Sequence, residues 1–107
     1  MMKKFLVFRS FGNLEKDVRK HELVVVEHGA NIYAVTDALV KAVRDDATGI
    51  EEYQSYEVEV YAPEPVPSGR RVKRYAYSIM AVASPANGKL GDIIEYGVIE
   101  EEVREAQ

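Results

Sequence analysis

His21 and His28 are the only histidines in a chain with no cysteine, so transition-metal or general-base chemistry would have to be built on them with carboxylates as partners. On an extended segment their spacing of seven puts the rings on opposite faces and about 23 Å apart. A shared metal is therefore not expected. His28, beside Gly29 at a predicted turn, has Glu27 and Asp37 nearby as possible orienting acids, but a histidine in that position reads as a capping or surface residue. Ser10, Ser55, Ser68, Ser78 and Ser84 lack a G-x-S-x-G context, and Gly88-Lys89-Leu90-Gly91 lacks the spacing of a phosphate loop. Asp45-Asp46 and Glu51-Glu52 are adjacent pairs whose members point apart, which predicts a solvated edge and not an acid–base couple. The expectation is a non-enzymatic protein with no metal ligands, no catalytic residues and no cofactor.

Arg70, Arg71, Lys73 and Arg74, followed by Tyr75 and Tyr77, form the strongest local charge signal. Cations interleaved with aromatics on a strand are what a single-stranded nucleic acid would need for phosphate contact and base stacking. Strand alternation weakens that reading, because it turns Tyr75 and Tyr77 under a helix and flanks Arg74 with Glu59 and Glu101. Arg70, Arg71 and Lys73 remain as a nucleic-acid alternative, with Lys3, Lys4, Lys16, Arg19 and Lys20 as reinforcement. Residues 1–22 hold six basic and three acidic side chains, and residues 92–105 six acidic and one basic. Such a bipolar surface suits the docking of one subunit or partner on another. A net charge of −4 and a pI near 5.2 point away from a dedicated nucleic-acid module. A second alternative is a small-ligand pocket lined by Tyr56, Tyr75, Tyr77 and Tyr96.

The elements that would position these residues follow from hydrophobic spacing. Ile32, Val35, Leu39, Ala42 and Val43 recur on one helical stripe, Asn31 can cap its start, and Asp45, Asp46, Thr48 and Gly49 mark its end. Strands are predicted over 3–11, 23–27, 56–61, 71–84 and 92–100. The first two are apolar on both faces, and the third alternates Tyr56, Val58 and Val60 against Glu57, Glu59 and Tyr61. Segment 14–22 reads as a hairpin loop, and 63–69, with Pro63, Pro65 and Pro67, as an exposed loop and rigid spacer. Residues 101–107 read as a frayed acidic tail. In register, Tyr56 and Val58 should sit opposite Tyr77 and Tyr75, and Ile79 and Ala81 beside Tyr96 and Ile94. The fold class is α+β, a single domain over 1–107: an antiparallel sheet of about five strands with one main helix on one face, in the order ββαβββ.

The apolar run at Phe5–Phe8 is short for a signal peptide and no run reaches membrane-span length, so a soluble cytoplasmic protein is expected. One helix of about 15 residues is roughly 22 Å long and covers one face of a sheet roughly 24 Å wide. The opposite face nevertheless receives apolar residues from the first two strands together with Met80, Val82, Ile93 and Ile99. Contiguous apolar surface of that kind marks an interaction site, so these four are the candidate interface of a homo-oligomer or a protein partner.

Overall fold

The structure is a computed structural model that describes residues 2–10, 22–67, 75–88 and 91–103. Strands β1 (Lys3–Arg9) and β2 (Glu22–Gly29) lead into helix α1 (Ile32–Thr48). A 3-10 turn at Glu51–Tyr53 follows, then β3 (Glu57–Val60), β4 (Glu64–Pro65), β5 (Tyr77–Ser84) and β6 (Asp92–Glu102). All pairings are antiparallel, in the order β2-β1-β6-β5-β3 with β4 beside β5, so the six strands form a half-barrel carrying one helix. The predicted α+β architecture and element order hold.

Helix α1 begins where expected, with the Asn31 side chain accepting a hydrogen bond from Ala34 N at 3.0 Å. Ile32, Val35, Leu39, Val43 and Ala47 are its buried residues, a stripe at the i, i+3, i+4 spacing that an amphipathic helix needs. The helix runs on through Asp45 and Asp46 to Thr48, and Gly49 N–H closes the last turn on Asp45 O and Asp46 O, both at 3.1 Å.

The stripe rests on Phe5 and Val7 of β1, Ile79 and Ala81 of β5, and Tyr96 and Val98 of β6. Pleat alternation then sends Leu6, Phe8, Val26, Met80, Val82, Ile93 and Ile99 to the far face, as the pairs Leu6↔Val26, Leu6↔Ile99 and Val82↔Ile93 show. The predicted register Ile79↔Tyr96 and Ala81↔Ile94 is present.

Several expectations are corrected. Val58 pairs with Ala83 and Val60 with Ala81, not with tyrosines. The cause is the stretch after β3, which is longer than a tight connection and is not all loop. Tyr61 N donates to Met80 O at 2.9 Å and Val66 N to Ala76 O at 3.0 Å, so non-proline amides supply the ladder and Pro65 sits in an edge strand where its missing N–H costs nothing. Between Val60↔Ala81 and Glu64↔Ser78 the outer strand advances four residues against three, a β-bulge. Among the described residues strand β5 starts at Tyr77, after Tyr75 and Ala76, and residues 71–74 of the expected strand lie outside them. Strand β6 continues to Glu102 where fraying was expected, because Lys3 Nζ meets Glu100 Oε1 at 3.3 Å, Lys4 Nζ meets Glu101 Oε2 at 3.4 Å, and Val103 N donates to Met2 O. Glu59 faces Val82 and Glu101 faces Lys4, while Arg74, expected between the two glutamates, lies outside the described residues.

Tyr75 is the largest departure. It lies on the far face, 6 % exposed, packed with Phe8, Val66 and Ile99. Its ring occupies the space above Gly97, where a Cβ would stand 2.6 Å from ring atoms Cγ and Cε1. Glycine is required at 97 because the ring and the strand share that space. Gly97→Ala is expected to lower stability by about 1–3 kcal/mol in urea unfolding through overpacking. Most of that loss should disappear in a Tyr75→Ala background, and an equal loss in both backgrounds would remove the contact as its cause.

Candidate functional site

Two regions combine exposure with chemistry. The first is the far face. Ile93 is 64 % exposed and Met80 39 %, Val82 lies half-buried between them and Glu59, and Leu23 and Val26 are exposed further along the sheet. Of the predicted interface residues, Met80, Val82 and Ile93 are therefore neighbours. Ile99 is on the same face but lies half-buried in the Tyr75 cluster. Glu57, Glu59, Glu64 and Glu95 share the face, opposite Ser84, Val82, Ser78 and Met80 respectively.

The second region is a cleft of about 550 Å³ where β1 ends beside the helix C-terminus. Ser10 and Arg9 reach it from β1, Gly49 and Ile50 from the helix end, Glu51, Glu52 and Tyr53 from the 3-10 turn, and Ile93 and Ile94 from β6. Arg9 is held from two sides: Nη1 donates to Asp46 Oδ2 at 3.1 Å, and Nη2 to Glu22 Oε2 at 3.0 Å. Tyr96 Oη donates to the same Asp46 oxygen at 2.7 Å. Burial, then the Asp46 carboxylate, push the Tyr96 phenol far above the usual tyrosine range, so it stays a neutral donor. Tyr53 Oη donates to Asp92 Oδ2 at 2.9 Å. Its pKa is pushed up to about 12, by desolvation first and then by the Asp92 hydrogen bond.

Sequence reasoning missed this cleft. Asp46, read as part of a solvated edge, is instead half-buried between a guanidinium and a phenol, while Asp45, Glu51 and Glu52 are exposed as expected. One signal was present: carboxylates at Asp45 and Asp46 oppose the negative end of the helix dipole, and nothing basic stands in that last turn to offset them. Such a misfit asks for a cation from elsewhere, which is Arg9.

The proposed tyrosine pocket does not assemble. Tyr96 is committed to Asp46, Tyr75 lies on the far face, and Tyr56 and Tyr77 are half-buried at the margin of the main core. Tyr75 has no free face for a base to stack on. Arg70, Arg71, Lys73 and Arg74, with His21 and residues 11–20, lie outside the described residues. His28 is exposed at the end of β2. Among the described residues no group of three His, Asp or Glu side chains could hold a metal ion, and no helix is long and apolar enough to cross a membrane.

Fold and sites together define a small α+β domain with a one-sided helix layer. The chain matches no protein-family model, no curated protein and no solved structure.

Two outcomes test the geometry. Tyr96→Phe removes one hydrogen bond to a partly exposed carboxylate that keeps Arg9, and is expected to cost about 1–2 kcal/mol in chemical denaturation. Tyr53 has a folded pKa raised from 10.0 to about 12, so its contribution to stability is complete below pH 10 and lost as pH rises toward 12. Phenolate absorbance in a variant series is expected to show one late-titrating tyrosine that moves to lower pH in Asp92→Asn.

Proposed function

We propose that this protein is a non-enzymatic interaction domain that pairs with a second copy of itself through the far face of its sheet, in the cytoplasm, a setting that a cysteine-free chain suits. The observation that carries the reading is the row of exposed Met80 and Ile93 with half-buried Val82 between them, on a sheet whose other face is already closed by α1. A fully exposed Ile or Met forgoes roughly 1.5–3 kcal/mol of burial, and a contiguous set of such side chains favours a covered state. A sheet buried on one side by a helix is half of a layered arrangement. An identical sheet face supplies the missing layer at the usual spacing of about 10 Å, and a twofold axis makes the same patch serve both partners.

The area sets the strength. Five strands of about six to seven residues present roughly 500–550 Å², so a face-on pair would bury about 1,000–1,100 Å² in total, the low end for a specific complex. The carboxylates Glu57, Glu59 and Glu95 around the patch add like-charge repulsion that salt would screen. Both factors favour a reversible dimer of micromolar affinity over an obligate one. Much of the charge asymmetry between the chain ends is consumed inside the sheet, in Lys3–Glu100 and Lys4–Glu101, so the apolar row and not bipolar steering supports the pairing.

Sedimentation velocity across 1–500 µM protein is expected to show a monomer–dimer equilibrium that tightens with added salt. Met80→Glu and Met80→Glu/Val82→Glu are expected to shift it toward monomer by at least tenfold while leaving the unfolding midpoint of the monomer nearly unchanged. A clean monomer at high micromolar concentration would remove the self-association reading.

A further inference from the structure

We infer that pairing through the far face takes up protons on the glutamates that rim it, so that the dimer proposed above, on which this rests, tightens as pH falls. The placement of those glutamates is set by register. Glu59 on β3 stands across from Val82, Glu57 across from Ser84 one step along, and Glu64 on β4 across from Ser78. Glu95 on β6 stands across from Met80, and Ile93 across from Val82. The apolar row is thus bordered by carboxylates from β3 on one side and β6 on the other, about one strand spacing, roughly 4.8 Å, from the side chains that pairing would cover.

Among the described residues nothing near the row offsets Glu57, Glu59 and Glu64, which are exposed and make no ion pair. Strand β5, which runs between them and β6, brings Ser78, Met80, Val82 and Ser84 to this face and no charge. Tyr61, beside Met80, is the other titratable side chain described there. The described cations of the face, Lys4 and His28, stand opposite one another at the far end of β1 and β2, and Lys4 is held by Glu101 at 3.4 Å. Glu101 is six residues beyond Glu95 on β6. That is about 20 Å of strand, against a screening length of about 8 Å at physiological salt.

A twofold axis leaves such charges no escape. An axis that lays row on row brings each rim against a copy of the same acidic surface, which doubles the carboxylates at the border and thins the water they share. Like charges drawn together favour the protonated form. The dimer therefore holds more protons than two separate chains, and by linkage its Kd falls with pH as the medium approaches the ordinary glutamate range, about 4.3. Salt and acid relieve the same repulsion by different routes, one by screening and the other by discharge.

Sedimentation velocity of the full chain in 150 mM salt at pH 7.5 and pH 5.0 tests the coupling. The Kd is expected to tighten about tenfold at pH 5.0, an uptake of about 0.4 proton per dimer averaged over that interval. Glu57→Gln/Glu59→Gln is expected to pair about tenfold more tightly than wild type at pH 7.5 and to change less than about threefold between the two pH values. Asp37→Asn/Asp45→Asn removes the same charge from the exposed side of α1, behind the sheet, and is expected to keep the wild-type Kd and its pH dependence. That pair of variants separates discharge of the rim from a general approach to the pI. A wild-type dimer with one Kd at both pH values, a full tenfold pH response retained in Glu57→Gln/Glu59→Gln, or an Asp37→Asn/Asp45→Asn protein that tightens equally at pH 7.5 would overturn the inference and leave self-pairing standing. A monomer at both pH values up to 500 µM would remove both.

Discussion

The structure depends on one disproportion, a single helix against a sheet that is apolar on both sides. A helix of seventeen residues is about 25 Å long and can seal one face, which α1 does by seating Val35, Leu39 and Val43 over Phe5, Val7, Ile79 and Tyr96. Strand geometry does not allow the other set of side chains to follow. Every residue turned under the helix sends its neighbours outward, and in β1 those neighbours are Leu6 and Phe8. The chain answers part of this locally. Tyr75 lies across Gly97 and, with Val66, shields Phe8 and Ile99, so a small second core forms on the far face. The row at Met80, Val82 and Ile93 lies beyond its reach and stays exposed to varying degrees.

The helix is fixed along its length by apolar contact and at its end by charge. Asp46 near the C-terminus opposes the helix dipole and would weaken an isolated helix. In the folded chain it becomes the hinge point between layers: Arg9 from β1 and Tyr96 from β6 both donate to one of its oxygens, at 3.1 and 2.7 Å. These two donors come from adjacent strands, so the carboxylate ties the helix end to the centre of the sheet. Because Asp46 keeps partial solvent access, the value of this tie lies more in direction than in net free energy. It fixes which turn of the helix stands over which strands, and so where the cleft opens.

How much of this could be read from sequence divides by range of interaction. The helix start, its buried stripe, and the pairing of Ile79 with Tyr96 follow from periods of 3.6 and 2 and from a cap three residues before Ala34, all of them local. The far-face assignment of Met80, Val82, Ile93 and Ile99 was legible for the same reason, because alternation fixes sides once one residue is placed. What depended on connection geometry was not legible. The long connection from β3 to β5, which includes β4, sets Val58 opposite Ala83 and not Tyr75, and prolines that look like loop chemistry at 63–67 are compatible with an edge strand whose neighbouring amides carry the bonds. Tyr75 went to the opposite face because its strand had not yet begun. The cleft was invisible because it joins residues from β1, the helix end and β6, and no short window contains Arg9, Asp46 and Tyr96 together.

The cleft and the bare row of the far face share a common origin in the stagger of the half-barrel. Strand β1 pairs with β6 only from Tyr96 onward, and the ladder reaches one step further, to Ser10 N and Glu95 O. Strand β6 nevertheless extends back to Asp92, with β5 on its other side. Among the described residues, the Asp92–Ile94 end of β6 thus has a neighbour on one side only, and its side chains are left at a step in the sheet. Ile94 turns inward to close the core and form one wall of the cleft, while Ile93 turns outward to the exposed row and also reaches the cleft rim. A flush sheet of equal strands would have covered both. Among the described residues, the offset between β1 and β6 is therefore what leaves both the cleft and the apolar row open.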